Sequence, residues 1–154
     1  MAIVFIDESL TNIPNIQKLA VGVFIFEISN KQTYPDFLGH FSDFNESPQA
    51  KTAQIFKLHF IKPDEKGILK WGRTKNGFNR TSDNFVVYTR HIFFDDLYKI
   101  IGIVTPEAHK KMRENQNLLN SFIEKAEAFH QERRNELLKL PHISMETLNN
   151  KPPK

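Results

Sequence analysis

Apolar residues change their spacing several times along the chain, and each change marks an element. VFIDES at the start is a short apolar run closed by polar residues, consistent with a first strand. LAVGVFIFEI, within residues 15–30, reads two ways. Its β-branched and aromatic content suits a buried strand. Thr11, Asn12 and Pro14 resemble a helix start, and Leu19, Val23 and Phe26 fall on one helical face, so the helix is preferred. Residues 35–39 form a turn-rich break, and the polar stretch 40–53 is expected to be a loop or short helix. QIFKLHFIK, residues 54–62, alternates with period two. Ile55, Lys57, His59 and Ile61 lie on one face and Phe56, Leu58 and Phe60 on the other, which predicts a strand.

Residues 63–84 are polar, carry Gly67, Gly72 and Gly77, and are expected to be a long mobile connection with a ragged strand at 69–72. Connections beyond about 12–15 residues are uncommon in compact domains unless they are functional or disordered, so this one is a functional candidate. FVVYTRH and LYKIIGIVT read as two further strands at hairpin spacing around Phe93, Phe94, Asp95 and Asp96. Pro106 is predicted to open a long helix, with Thr105 as N-cap and Glu107 in the first turn. Leu118, Phe122, Ala126 and Phe129 give that helix one apolar stripe. The order β–α–β–β–β–α predicts an α+β fold, a small antiparallel sheet packed with helices. One domain is expected over residues 1–140, with a flexible tail over 141–154.

Composition narrows the chemistry. The chain has 154 residues, 40% of them hydrophobic, with 14 Phe and no Cys. That length suits one buried core. Without cysteine there are no disulfides, no thiolate nucleophile and no Cys-ligated metal. No apolar run reaches the ~18 residues of a membrane span. An acidic pair stands where an export signal carries Lys or Arg, so a cytoplasmic location is expected.

The net charge of +3 hides a sorting of charge: residues 1–50 hold six acids and two bases, residues 51–90 nine bases and three acids. An excess of that size suits an anionic partner such as RNA, DNA or an acidic protein, or else a solvated face.

No metal-ligand spacing of histidines, phosphate-binding loop or nucleophile elbow is present, and no cofactor or metal is expected. The informative stretch interleaves Lys57, Lys62, Lys66, Lys70, Arg73, Lys75, Arg80 and Arg90 with Phe56, Trp71, Phe78 and Tyr88. Bases neutralise phosphates and planar rings stack unpaired bases, which is what single-stranded RNA binding requires. RNA can be cut without a metal when its 2′-hydroxyl attacks the adjacent phosphate, one group taking the proton, another protonating the leaving oxygen and a cation stabilising the charge. Histidine suits the first two roles and arginine the third. His59, His109 and Arg80 are the best placed.

Arg80-Thr81-Ser82-Asp83, then Val87-Tyr88, then IVTPEAHK at residues 103–110, resemble the YafO-type toxins of bacterial type II toxin–antitoxin systems. So do Arg113-Glu114-Asn115, EKAEAF at 124–129, YPDFLG at 34–39 and the strand histidine His59. The resemblance covers roughly residues 13 to 131. It implies a RelE-like architecture with a long C-terminal helix, and an endoribonuclease that cuts translated mRNA on the ribosome. It also implies a cognate antitoxin partner, with mRNA and the ribosome as the other partners. On it, His59, Arg80 and His109 are the catalytic candidates, with Thr81 and Asp83 supporting Arg80. Lys57, Lys70, Trp71, Arg73, Lys75, Tyr88, Lys110 and Arg113 are the candidates for RNA or ribosome contact. The connection 64–79 is longer and more basic than the family pattern, and residues 132–154 extend past it. A non-catalytic RNA- or ribosome-binding inhibitor is the alternative reading, and a partner-binding protein that meets an acidic surface is a third.

Overall fold

The computed structural model describes residues 1–62, 71 and 73–149. Its centre is a five-stranded sheet in the order β1-β5-β4-β3-β2, formed by β1 (Ile3–Ile6), β2 (Leu38–Asp43), β3 (Ile55–Phe60), β4 (Phe85–Arg90) and β5 (Leu97–Val104). β1 runs parallel to β5 and every other pair is antiparallel. The fold is α+β, in agreement with the sequence pattern and consistent with a RelE-like architecture.

Period-two alternation in the strands sorts the side chains to two faces. Leu58, Phe60, Val86, Tyr88 and Ile100 pack against helix α1 (Ile16–Ile28), and Phe56 adds to that layer. LAVGVFIFEI is therefore helical, and its apolar residues cover that face of the sheet. Ile55, Phe85, Val87, Ile101 and Val104 pack on the opposite face with Leu119, Phe122, Ile123 and Ala126. Those four belong to α4 (Gln116–His130), which approaches so closely that a Cβ on Gly102 would lie 2.3 Å from the Phe122 ring.

Several expectations are corrected. The stretch 40–53 holds β2 and the short helix α2 (Pro48–Thr52). β2 is an edge strand with a register shift between Leu38 and Phe41, and its polar outer positions conceal the strand period. The helix after Pro106 is two helices, α3 (Ala108–Glu114) and α4, separated at Asn115, whose side chain accepts from the Leu118 N–H. Thr105 does not cap α3. Residue Glu107 adopts a left-handed conformation before the helix, and Asp83 supplies the acceptors for its first N–H groups. The expected strand at 69–72 lies outside the described residues except at Trp71, which is helical.

Beyond α5 (Arg134–Leu137), the segment expected to be loose docks on the domain. Ile143 is buried and bridges Val4, and the His142 ring meets Phe5 before α6 (Met145–Asn149). Among the described residues no helix is long and apolar enough to cross a membrane.

Candidate active site

Four rings form a row at one end of the sheet, where β3 ends and β4 begins. Phe78 to His40, His40 to His59 and His59 to His109 have centroid separations of 4.3, 5.4 and 5.4 Å, each pair edge to face. Phe85 underlies the inner end, 4.9 Å from His59 and 4.8 Å from His109. The strand register produces this, since His59 pairs with Phe85 across β3 and β4 on the face away from α1.

Each imidazole has its Nδ1 fixed by a different partner. The His109 Nδ1–H donates to Asp83 Oδ1 at 2.7 Å, and the backbone N–H of His109 donates to the same oxygen at 2.9 Å. These hydrogen bonds hold the Asp83 carboxyl below its usual range, hence ionised. His59 Nδ1 accepts from the Ser82 N–H at 2.9 Å, which places the ring proton on Nε2. Burial, then the neighbouring His40, His109 and Lys57, lower the His59 pKa to about 3, so the ring is neutral at physiological pH. His40 Nδ1–H donates to the Phe78 carbonyl at 3.0 Å. His59 is 4% exposed, whereas His109 is open to solvent. A buried neutral ring thus sits beside an accessible one oriented by a carboxylate.

Arg80 is turned away from this row. Its Nε donates to the Thr74 carbonyl at 3.2 Å, and its Nη1 to the Pro35 and Leu38 carbonyls at 3.1 and 3.2 Å. Three of its five N–H donors are thus engaged: two tie the turn before β4 to the start of β2, and the third braces that turn on itself at Thr74. Its own carbonyl accepts from the His40 N–H at 2.8 Å. The approach is so close that a Cβ on Gly39 would stand 2.3 Å from that carbonyl oxygen. Asp83, expected to support Arg80, is bound to His109 instead. Thr81 is exposed, and its carbonyl accepts from the Trp71 indole N–H.

Two of the expected RNA contacts are core residues. Trp71 is 4% exposed and Tyr88 is fully buried, its hydroxyl donating to Glu27. Neither ring has a face free to stack on a base. Lys57 is half-buried, with its amine 4.9 Å from the Phe44 centroid and 4.7 Å from that of Phe85. Burial pushes its pKa down. Arg73, Lys75, Lys110 and Arg113 are exposed, and Lys70 lies outside the described residues.

The sequence reading missed His40, because it lies on the unrecognised strand β2. Apolar alternation is too short there to disclose it; only its place after the Gly39 break hints at a tight approach. Among the described residues, no group of three or more histidines or acids is arranged to hold a metal ion.

Comparison with known proteins gives one match. No curated protein and no solved structure is similar enough to be matched. A family model described as toxin YafO of a type II toxin–antitoxin system matches residues 27–131. That span runs from the end of α1 to the end of α4 and includes the whole row of rings together with Asp83, so the chain belongs to the YafO family of type II toxin–antitoxin toxins.

Proposed function

We propose that this toxin is an endoribonuclease that cuts mRNA on the translating ribosome through attack of the RNA 2′-hydroxyl on its own phosphate. The observation that carries the reading is His109, solvent-accessible, oriented by Asp83 and set edge to face against neutral His59. With Nδ1–H engaged by Asp83, His109 Nε2 accepts the 2′-hydroxyl proton as the 2′-oxygen bonds to phosphorus. His59 Nε2–H donates to a non-bridging phosphoryl oxygen; a neutral imidazole does this without surrendering its proton. In-line displacement needs the leaving 5′-oxygen protonated on the opposite side. His40, on the far side of His59 and with Nε2 uncommitted, supplies that proton when it enters as imidazolium. The products are a 2′,3′-cyclic phosphate and a 5′-hydroxyl.

Arg80 acts here as a positioning residue for His40 rather than as a phosphate clamp. The exposed cations Arg73, Lys75, Lys110 and Arg113 supply contacts to the backbone of mRNA or ribosomal RNA. An open site with few groups gains from a host that orients the substrate, since positioning alone supplies ~7–11 kcal/mol. Like any toxin of a type II system, the protein has an antitoxin partner.

The test is primer extension on a reporter mRNA after a short pulse of the protein, with and without a functional start codon. New 5′ ends on the translated message alone, absent with His109→Ala, are expected. Intact transcripts with translation stopped overturn the nuclease reading in favour of inhibition by occupancy.

A further inference from the structure

Phe78 is the apolar member of the row and is 49% exposed, a value that among the described phenylalanines, tyrosines and tryptophan only Phe93 exceeds. Its backbone is nevertheless tightly fixed. It occupies the 3-10 turn Gly77–Asn79, where the Asn76 side chain accepts from its N–H at 3.0 Å and its carbonyl accepts from His40. Gly77 is pressed on Tyr34, so that a Cβ there would lie 2.1 Å from the ring. Arg80 clamps the same turn to the start of β2 through Pro35 and Leu38 and braces it at Thr74. A rigid turn thus holds out an apolar ring that the core does not use, 4.3 Å from one histidine of the site, and exposed Arg73 and Lys75 precede it in the chain.

We infer that Phe78 is a base-stacking platform, which seats an unpaired RNA base next to the scissile phosphate. The ring is half exposed beyond its contact with His40, and a purine or pyrimidine stacks on it without sequence-specific hydrogen bonds. Exposed Arg73 and Lys75, five and three residues before the ring, supply cations for the phosphates of the same strand. The row then has a division of labour: Phe78 fixes the base, and the imidazoles act on the phosphate beside it. A planar anchor also explains why a turn this exposed is secured from three directions. The inference rests on the nuclease reading for the step that follows binding, but the stacking itself requires no cleavage.

The experiment uses the full chain and short single-stranded RNAs that cannot be cut, with a 2′-O-methyl group at every ribose and 2-aminopurine moved through each position in turn. Quenching of 2-aminopurine at one position is expected for the wild-type protein. Phe78→Ala and Phe78→Leu should both weaken binding by about 5- to 150-fold and remove the quench, while Phe78→Tyr restores both. Absence of binding at millimolar RNA, or a quench unchanged by Phe78→Ala, overturns the proposal. So does a loss of antitoxin binding by Phe78→Ala with RNA binding intact, which would make the ring a protein contact. A position-specific quench combined with intact transcripts in the primer-extension assay leaves the RNA site standing and removes the nuclease.

Discussion

Asp83 Oδ1 binds His109 twice, accepting from the backbone N–H at 2.9 Å and from ring Nδ1–H at 2.7 Å. One oxygen thereby starts α3 and sets the tautomer of the imidazole. Helix and candidate base are consequently built as one unit, anchored to β4 through the short link Asn84.

That double contact separates two variants. His109→Ala should lower cleavage about 10²–10⁴-fold, the usual contribution of a positioned acid–base group. Its stability should change by less than about 0.5 kcal/mol, because the side chain is exposed. Asp83→Ala keeps the imidazole but loses its orientation and the helix cap, so cleavage should fall less while stability drops by about 1 kcal/mol. Cleavage rates paired with urea denaturation check both; full activity in Asp83→Ala rules out the orienting role.

Arg80→Ala should behave differently from His109→Ala. It removes three charge-assisted hydrogen bonds to carbonyls and loosens the Phe78 turn, which keeps only its backbone and His40 bonds to β2. A loss of about 2 kcal/mol or more is expected, together with lost activity. Arg80→Lys cannot span the same three carbonyls with one ammonium and should recover little of either. Unchanged stability with activity abolished would instead identify Arg80 as a direct phosphate contact.

Tyr88→Phe tests whether this tyrosine is structural. Its hydroxyl donates to Glu27, a buried carboxylate that also pairs with Lys31 at 2.7 Å. Removing the hydroxyl leaves a carboxylate oxygen short of a donor and should cost about 1–3 kcal/mol. Binding of single-stranded RNA, measured well below the unfolding transition, should not change.

Hydrophobic period made much of this architecture legible, whereas the helix caps stayed hidden. Residues 54–62 alternate cleanly because β3 sets Phe56, Leu58 and Phe60 under α1 and its polar residues on the other face, and that same alternation places His59 and Lys57 together. Helix α1 was ambiguous for the opposite reason: an almost wholly apolar segment carries no amphipathic signal. Asp83 and His109 are 26 residues apart, so nothing local announces that one caps the helix of the other. His40 was hidden by a short edge strand, and Arg80 was misread because an arginine looks alike in sequence whether it holds a phosphate or three carbonyls. Trp71 was misread because a ring interleaved with bases suggested stacking, whereas the ring is buried and its indole N–H donates to the Thr81 carbonyl.

His59 should also leave a mark on stability against pH. Its pKa is about 3 in the folded protein against an ordinary 6.5, so between those values the unfolded chain binds the proton and the folded chain does not. Stability therefore rises with pH across that window and is lost on acidification below about pH 6.5. His59→Gln retains an acceptor for the Ser82 N–H but does not titrate. Its urea midpoint should fall less than that of the wild type between about pH 7.5 and pH 5. Some acid sensitivity should persist in the variant, because burial also lowers the pKa values of His91 and His130. An equal fall in both proteins would mean that His59 takes up its proton without unfolding, and would return it to the list of groups able to donate one during cleavage.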